Sequence, residues 1–332
     1  MTTPQAPQPK IDLPQEFAFI RQHFSALAGP AALNLRDDAA VFLPPPGREM
    51  VMAVDAMVEN VHFLPTDPPD TIGRKLLRCN LSDLAAMGSK PEGWLLAFAR
   101  PAHITEDWVE QFCHGLAQDQ HIFGLSLMGG DTTSTSGPLV LSLTIVGSVL
   151  PGQAIRRSGA RAGDGLWVSG TIGDGALGLR VLQSVPNMVD PTGHLAQRYR
   201  LPQPRIGLPL YGLASAAMDV SDGLVQDAGH LARESGLHVR IEAHAVPLSR
   251  AAQALGAAVL ETCLTGGDDY EILFAVPPER EAQLLRTPIL TTPHGAVPVT
   301  RIGQFEAGAV GVSVINSQGI PMALKTSGWS HL

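Results

Sequence analysis

A set of aspartates standing where apolar segments stop is the feature of this chain that could do chemistry. Asp38 lies in Arg36-Asp37-Asp38-Ala39-Ala40-Val41-Phe42, and Asp55 follows the apolar run Met50–Val54. Asp83 lies in Asn80-Leu81-Ser82-Asp83-Leu84-Ala85-Ala86-Met87-Gly88, and Asp131 in Gly129-Gly130-Asp131-Thr132-Thr133. Asp219 and Asp222 frame Asp219-Val220-Ser221-Asp222-Gly223. Singly, each has an ordinary explanation: a solvated turn, a strand-end residue or a helix N-cap. Jointly, they form an all-oxygen acidic set, and strand ends of α/β sheets gather at one edge where ligands bind. Oxygen donors suit magnesium rather than zinc or iron, and the His/Cys spacing of a zinc site is absent.

Magnesium gathered by many carboxylates points to phosphates. Two phosphorylated reactants repel, and that charge must be neutralised before a phosphoryl group can pass between them. The chain has neither the P-loop GxxxxGK[ST] nor the HRD and DFG segments of protein kinases. Its lysines are only Lys10, Lys75, Lys90 and Lys325. Positive charge must then come from metal ions, backbone amides and arginines such as the Arg156-Arg157…Arg161 group. The literal GxGxxG in Gly173-Asp174-Gly175-Ala176-Leu177-Gly178 and its preceding glycines is not a dinucleotide fingerprint. The turn-rich stretch from Ser184 to Gly193 replaces the required next strand, and Asp174 would repel a pyrophosphate. A phosphate oxygen acceptor is already ionised, so the chemistry calls for no covalent nucleophile and no general base.

These groups need elements to hold them. Ile72, Leu76, Leu77, Leu81, Leu84 and Ala85 recur at helical spacing, so a helix runs from about Thr71 to a stop at Gly88. Glu16–Leu27 and the Thr105-capped segment to Phe123 also read as helices, as does Pro204–Ala217. Strands are expected at Met50–Asp55 (both faces covered), Ser126–Met128 leading into a Gly-Gly turn, Leu139–Val149, Gly165–Ser169 and Ile272–Val276. The Asp37-Asp38 pair is expected to run straight into a strand. Pro151-Gly152 marks a boundary between an N-terminal domain, 16–150, and a C-terminal α/β domain, 151–332, after a disordered tail, 1–15.

The 332 residues, 45% of them hydrophobic, suffice for two cores, and the formal net charge of −8 argues against nucleic-acid or anionic-membrane partners. Cys79, Cys113 and Cys263 show no paired spacing, which fits a reducing cytoplasm. The N-terminus lacks a signal-peptide core, and no run is long and apolar enough to span a bilayer.

In order and spacing, these segments resemble the thiamine-monophosphate kinase family. The resemblance rests on Asp37-Asp38-Ala39-Ala40, Asp55…His62-Phe63, Asn80–Gly88, Gly129-Gly130-Asp131-Thr132, Arg157-Ser158-Gly159-Ala160, Asp219-Val220-Ser221-Asp222-Gly223 and Gly267-Asp268-Asp269-Tyr270-Glu271. It implies the two-domain α/β (α+β) fold of aminoimidazole ribonucleotide synthetase, with the N-terminal sheet pairing across a homodimer. It implies ATP-dependent phosphorylation of thiamine monophosphate to thiamine diphosphate with several Mg2+ ions, and leaves room for K+. By motif position, Asp38, Asp55, Asp83, Asp131, Asp219 and Asp222 would bind metal. Gly130, Arg157 and Ser221 would touch ATP; His62, Asp268 and Trp329 would touch the thiamine moiety. The chain departs from the family pattern at Ala53-Val54, where a hydroxyl pair is usual, at Arg36, where a small residue is usual, at Asp268, where Glu is commoner, and at Cys113, about where many members carry a Tyr near ATP. Alternatives are another ATP-dependent enzyme on this fold, or a nucleotide sensor. Selenophosphate synthetase is disfavoured because the N-terminal tail has no reactive Cys, and the hydrogenase maturation dehydratase because no Cys stands near Leu332.

Overall fold

The computed structural model describes residues 14–329. The tail reading falls mostly outside these, and its last residue, Gln15, opens helix α1 (Gln15–Phe24), which continues as a 3-10 turn to Leu27. The first half then runs β1 (Glu49–Val58), α2 (Pro69–Ala86), β2 (Lys90–Pro101), α3 (Glu106–Phe123), β3 (Ser126–Thr135) and β4 (Val140–Val149). Its four strands form one sheet in the order β1-β4-β2-β3, with only the β2–β3 pair parallel.

Helix α2 is the axis of the molecule. Its apolar positions are almost all buried, and Gly88, at φ +69, ends it in the left-handed conformation that glycine adopts without strain. It crosses α3 closely: a Cβ on Gly115 would lie 2.0 Å from the carbonyl oxygen of Asp70, so only glycine fits there. Thr105 caps α3 by accepting the Trp108 amide. The other side of α2 packs on strands of the second half.

That second half comprises β5 (Gly165–Ser169), α4 (Asp174–Leu182), α5 (His194–Arg200), β6 (Ala216–Asp219), α6 (Leu224–Ser235), β7 (His238–Glu242), β8 (Ile272–Val276), β9 (Ile289–Thr292), β10 (Gly295–Glu306) and β11 (Gly311–Ile315), with short helices between β7 and β8 and a further helix, Pro278–Arg286, between β8 and β9. The sheet order is β11-β7-β10-β5-β8-β6, with β9 paired to β10. Strands β5 and β8 are buried along their whole length, which explains their unbroken apolar sequences. Polar side-chain contacts join the halves, among them Arg78 Nη1 donating to the Pro202 carbonyl at 2.9 Å and the ion pair of Arg200 Nε with Asp67 Oδ1 at 2.7 Å.

Four local expectations need correction. The expected strand after Asp38 is absent: a 3-10 segment, Pro30–Leu35, gives way to irregular chain that leaves Val41 and Leu43 exposed. Strand β1 is not covered on both faces: Met52 and Val54, two residues apart and so on the same face, are exposed. The strand at Ser126 does not turn at Gly129-Gly130. It continues to Thr135 because β2 offers a parallel partner over that whole length, and Gly130 lets the backbones meet: its Cβ would lie 2.1 Å from the Leu96 carbonyl. Finally, Pro204–Ala217 is not helical. Pro204 and Pro209 deny it amide donors, and the segment is irregular until β6 begins at Ala216.

Candidate active site

A cavity of about 690 Å3 opens where α2 meets the second half. Its volume lies in the range of small-molecule sites. The acids arrive from separate elements. Asp55 comes from β1, where its amide donates to Asn80 Oδ1 at 3.1 Å, tying strand to helix. Asp83 comes from α2, Asp219 from the end of β6, and Asp222 from the loop into α6; all four line the cavity.

The electrostatics of this group follow from several carboxylates crowded together in a buried setting. Burial, then the nearby Asp219 and Asp55, raise the pKa of Asp83 well above the usual carboxylate range. Burial also raises Asp55 and Asp219, and the carboxyls of Asp55 and Asp83 act on one another. Packing carboxylates this way without a cation is costly. A hard divalent cation would remove that cost, and the donors are all oxygen, so the residues fit magnesium. Arg157 lines the same region, and its charge partly offsets the shifts of Asp83 and Asp219.

The loop carrying Ser221 and Asp222 is held by a residue that motif reading passed over. Asp227, 1% exposed in the first turn of α6, accepts the amides of Ser221, Asp222 and Gly223 at 3.1, 3.1 and 3.2 Å through one oxygen. An acid in a helix's first turn just after an Asp-Gly pair is the signal that could have found it.

The same cavity is also lined by residues of a different character: His62, Leu179, Ala176, Asp268, Trp329 and Lys75. His62 Nδ1 accepts the Val58 amide at 3.0 Å, which assigns the ring proton to Nε2. Trp329 is 53% exposed; its amide donates to the Asp222 carbonyl and its own carbonyl accepts from Gln226. Asp268 sits in a loop fixed from behind. The Asp269 carboxylate accepts the Gly173 and Gly175 amides at 2.7 and 3.1 Å, so the start of α4 is filled by the chain's own acid rather than open to a dinucleotide.

The cavity gathers nine of the motif residues: Asp55, His62, Asp83, Arg157, Asp219, Ser221, Asp222, Asp268 and Trp329. It does not include Asp38, Gly130 or Asp131. Asp38 and Asp131 are exposed, and β3 and β1 are opposite edges of their sheet, three strand spacings or roughly 14 Å apart. Cys113 also stands away from the cavity, buried in the core on α3.

Comparison with known proteins agrees with this picture. The family models of the AIR synthase related protein match here, the N-terminal domain over residues 36–149 and the C-terminal domain over 161–315. The thiamine-monophosphate kinase of Caulobacter vibrioides is 43% identical, the match covering 98% of this chain and 93% of that one. The Escherichia coli K12 enzyme of the same name is 37% identical, covering 95% and 98%. Among solved structures, thiamine-monophosphate kinase from Stenotrophomonas maltophilia superposes with a TM-score of 0.74 at 38% identity, over 84% of this chain and 89% of that one. AaThiL complexed with AMPPCP and TMP gives 0.74 at 31%, over 89% and 91%.

Proposed function

This chain belongs to the thiamine-monophosphate kinase family, and we propose that it transfers the γ-phosphoryl group of ATP to the phosphate of thiamine monophosphate in the cavity beside α2. An acceptor phosphate oxygen forms the new P–O bond, the bond from the γ-phosphorus to the bridging oxygen breaks, and ADP leaves with thiamine diphosphate as the product. The observation that carries the reading is the convergence of Asp55, Asp83, Asp219 and Asp222 on one cavity without a matching number of cations.

Several magnesium ions held by those carboxylates would supply the positive charge that lets two anionic reactants approach. The protein's own part is placement. Arg157 and Ser221 bind ATP, and the three amides fixed by Asp227 keep the Ser221 loop in place. His62, Asp268 and Trp329 receive the thiamine moiety, whose cationic ring suits a carboxylate and an aromatic face. In this reading residues 16–150 form the ATP, metal and dimerisation domain, residues 151–332 the second domain, and the enzyme works in the cytoplasm, with K+ as a further candidate ion.

The reading includes a homodimer built on the first sheet. Its support is the exposed apolar pair Met52 and Val54 on β1, with Val41 and Leu43 nearby in sequence. Asp38, Gly130 and Asp131 retain their proposed metal and ATP roles as groups that a second copy completes. Light scattering should give twice the chain mass, and Met52→Glu/Val54→Glu should shift it to the monomer with loss of activity. A monomeric, fully active wild type would contradict the dimer.

The function itself is tested by incubating the protein with ATP, magnesium and thiamine monophosphate. Thiamine diphosphate and ADP should form in equal amounts, and free thiamine should give no product. Nucleotide binding without thiamine diphosphate would favour the sensor instead.

A further inference from the structure

Lys75 is only 2% exposed, yet it reaches the cavity. Its Nζ donates to Asp268 Oδ2 at 2.8 Å and to the His62 carbonyl oxygen at 3.1 Å, and it lies 3.7 Å from the centroid of the Tyr199 ring. A carboxylate, a carbonyl and an aromatic face, drawn from both halves of the molecule, thus meet at one ammonium. Burial alone would favour the neutral amine, but Asp268 and then Tyr199 outweigh it and hold the pKa of Lys75 above its ordinary value. Asp268 has φ +72, uncommon for a residue other than glycine. Its amide donates to the Ser221 carbonyl at 2.9 Å, and the next residue is locked onto α4. The surrounding structure thus over-determines the strained backbone, which aims the carboxylate at Lys75 and the cavity.

We propose that Lys75 is a positioning residue for the acceptor: by holding the His62 carbonyl and the Asp268 carboxylate together, it sets the spacing of the two groups that receive the thiamine moiety. This rests on the reading above, in which His62 and Asp268 are acceptor contacts. Lys75 uses one oxygen of Asp268 and leaves the other for the cationic ring. Two effects compete when Lys75 is removed. The site gains net negative charge, which by itself tightens binding of a cation. The half-buried carboxylate also loses the partner that holds its orientation, so it turns away, which loosens binding. The second effect dominates here, because Lys75 touches Asp268 directly in a buried setting, while the substrate cation would sit in the open cavity.

Steady-state kinetics of wild type, Lys75→Met and Asp268→Asn, with thiamine monophosphate and Mg·ATP varied in turn, test this. Lys75→Met should raise KM for thiamine monophosphate about 30-fold or more, with a change in KM for ATP under about threefold. Asp268→Asn should show the same split, and the double variant should be no worse than the poorer single one. An unchanged or lowered KM for thiamine monophosphate would overturn the proposal. So would parallel losses for both substrates, or loss of Mg·ATP binding in Lys75→Met, because Lys75 would then be a general structural residue. A wild type that forms no thiamine diphosphate would remove the functional premise, and the proposal with it, before any variant is compared.

Discussion

Asp83→Asn is expected to lower kcat by about 1000-fold or more, on the order of 4 kcal/mol of transition-state stabilisation. Burial raises the pKa of Asp83, and the charges of Asp219 and Asp55 raise it further. Asparagine keeps the shape and one oxygen but removes the charge that would bind a cation. The fold should not suffer. In metal-free protein Asp83 is repelled by its neighbours and desolvated, so Asp83→Asn should melt at the same temperature as wild type or slightly above it. Turnover and thermal melting in EDTA check both halves of this result. Near-wild-type turnover would remove Asp83 from the chemistry, and a large fall in melting temperature would make it a structural residue.

Glu271→Ala is expected to cost about 3–5 kcal/mol of stability, because it strands buried cations. Glu271 is fully buried, and its carboxylate accepts from Arg198 at 3.0 Å, from both Nε and Nη2 of Arg205, and from the Ser169 hydroxyl at 2.6 Å. Arg198 is itself buried, so its guanidinium cannot simply turn to water. The melting temperature should fall by about 10 °C. Glu271→Gln should fall less, since the amide oxygen can still accept from one arginine. Because Glu271 closes the loop that presents Asp268, the acceptor KM should rise in whatever protein remains folded. A fall of less than about 2 °C in Glu271→Ala would mean that water satisfies both arginines.

Much of the architecture was legible where local signals agree. The run from Ile72 to Gly88 has helical periodicity, an apolar face and a glycine stop, and the helix ends as expected. Thr105 with acids in the next turn marked α3 correctly. The strand that carries Asp131 failed for a long-range reason: two glycines look like a turn, and only the parallel partner β2 makes them strand. The helix expected over Pro204–Ala217 does not form, because Pro204 and Pro209 within it cannot donate backbone hydrogen bonds.

The cavity end that holds the clustered carboxylates was legible because those acids interrupt otherwise apolar elements. Asp38 and Asp131 carry the same kind of signal, yet they are exposed on other parts of the first half; a sequence pattern marks an acid, not the edge of the sheet it belongs to. Lys75 carries no motif of its own, and a lysine within a helix ordinarily extends its ammonium to solvent. Its stripe with Cys79 and Asp83, at successive spacings of four, was the available clue, since all three line the cavity.

The central claim is that these carboxylates share divalent cations while holding ATP. Crystals grown with manganese in place of magnesium and the non-transferring analogue AMPPCP would test it through anomalous scattering. Anomalous peaks are expected in the cleft bounded by Asp55, Asp83, Asp219 and Asp222, and their loss in crystals of Asp83→Asn. Nucleotide bound with no peak in that cleft, or peaks that survive the substitution unchanged, would contradict it.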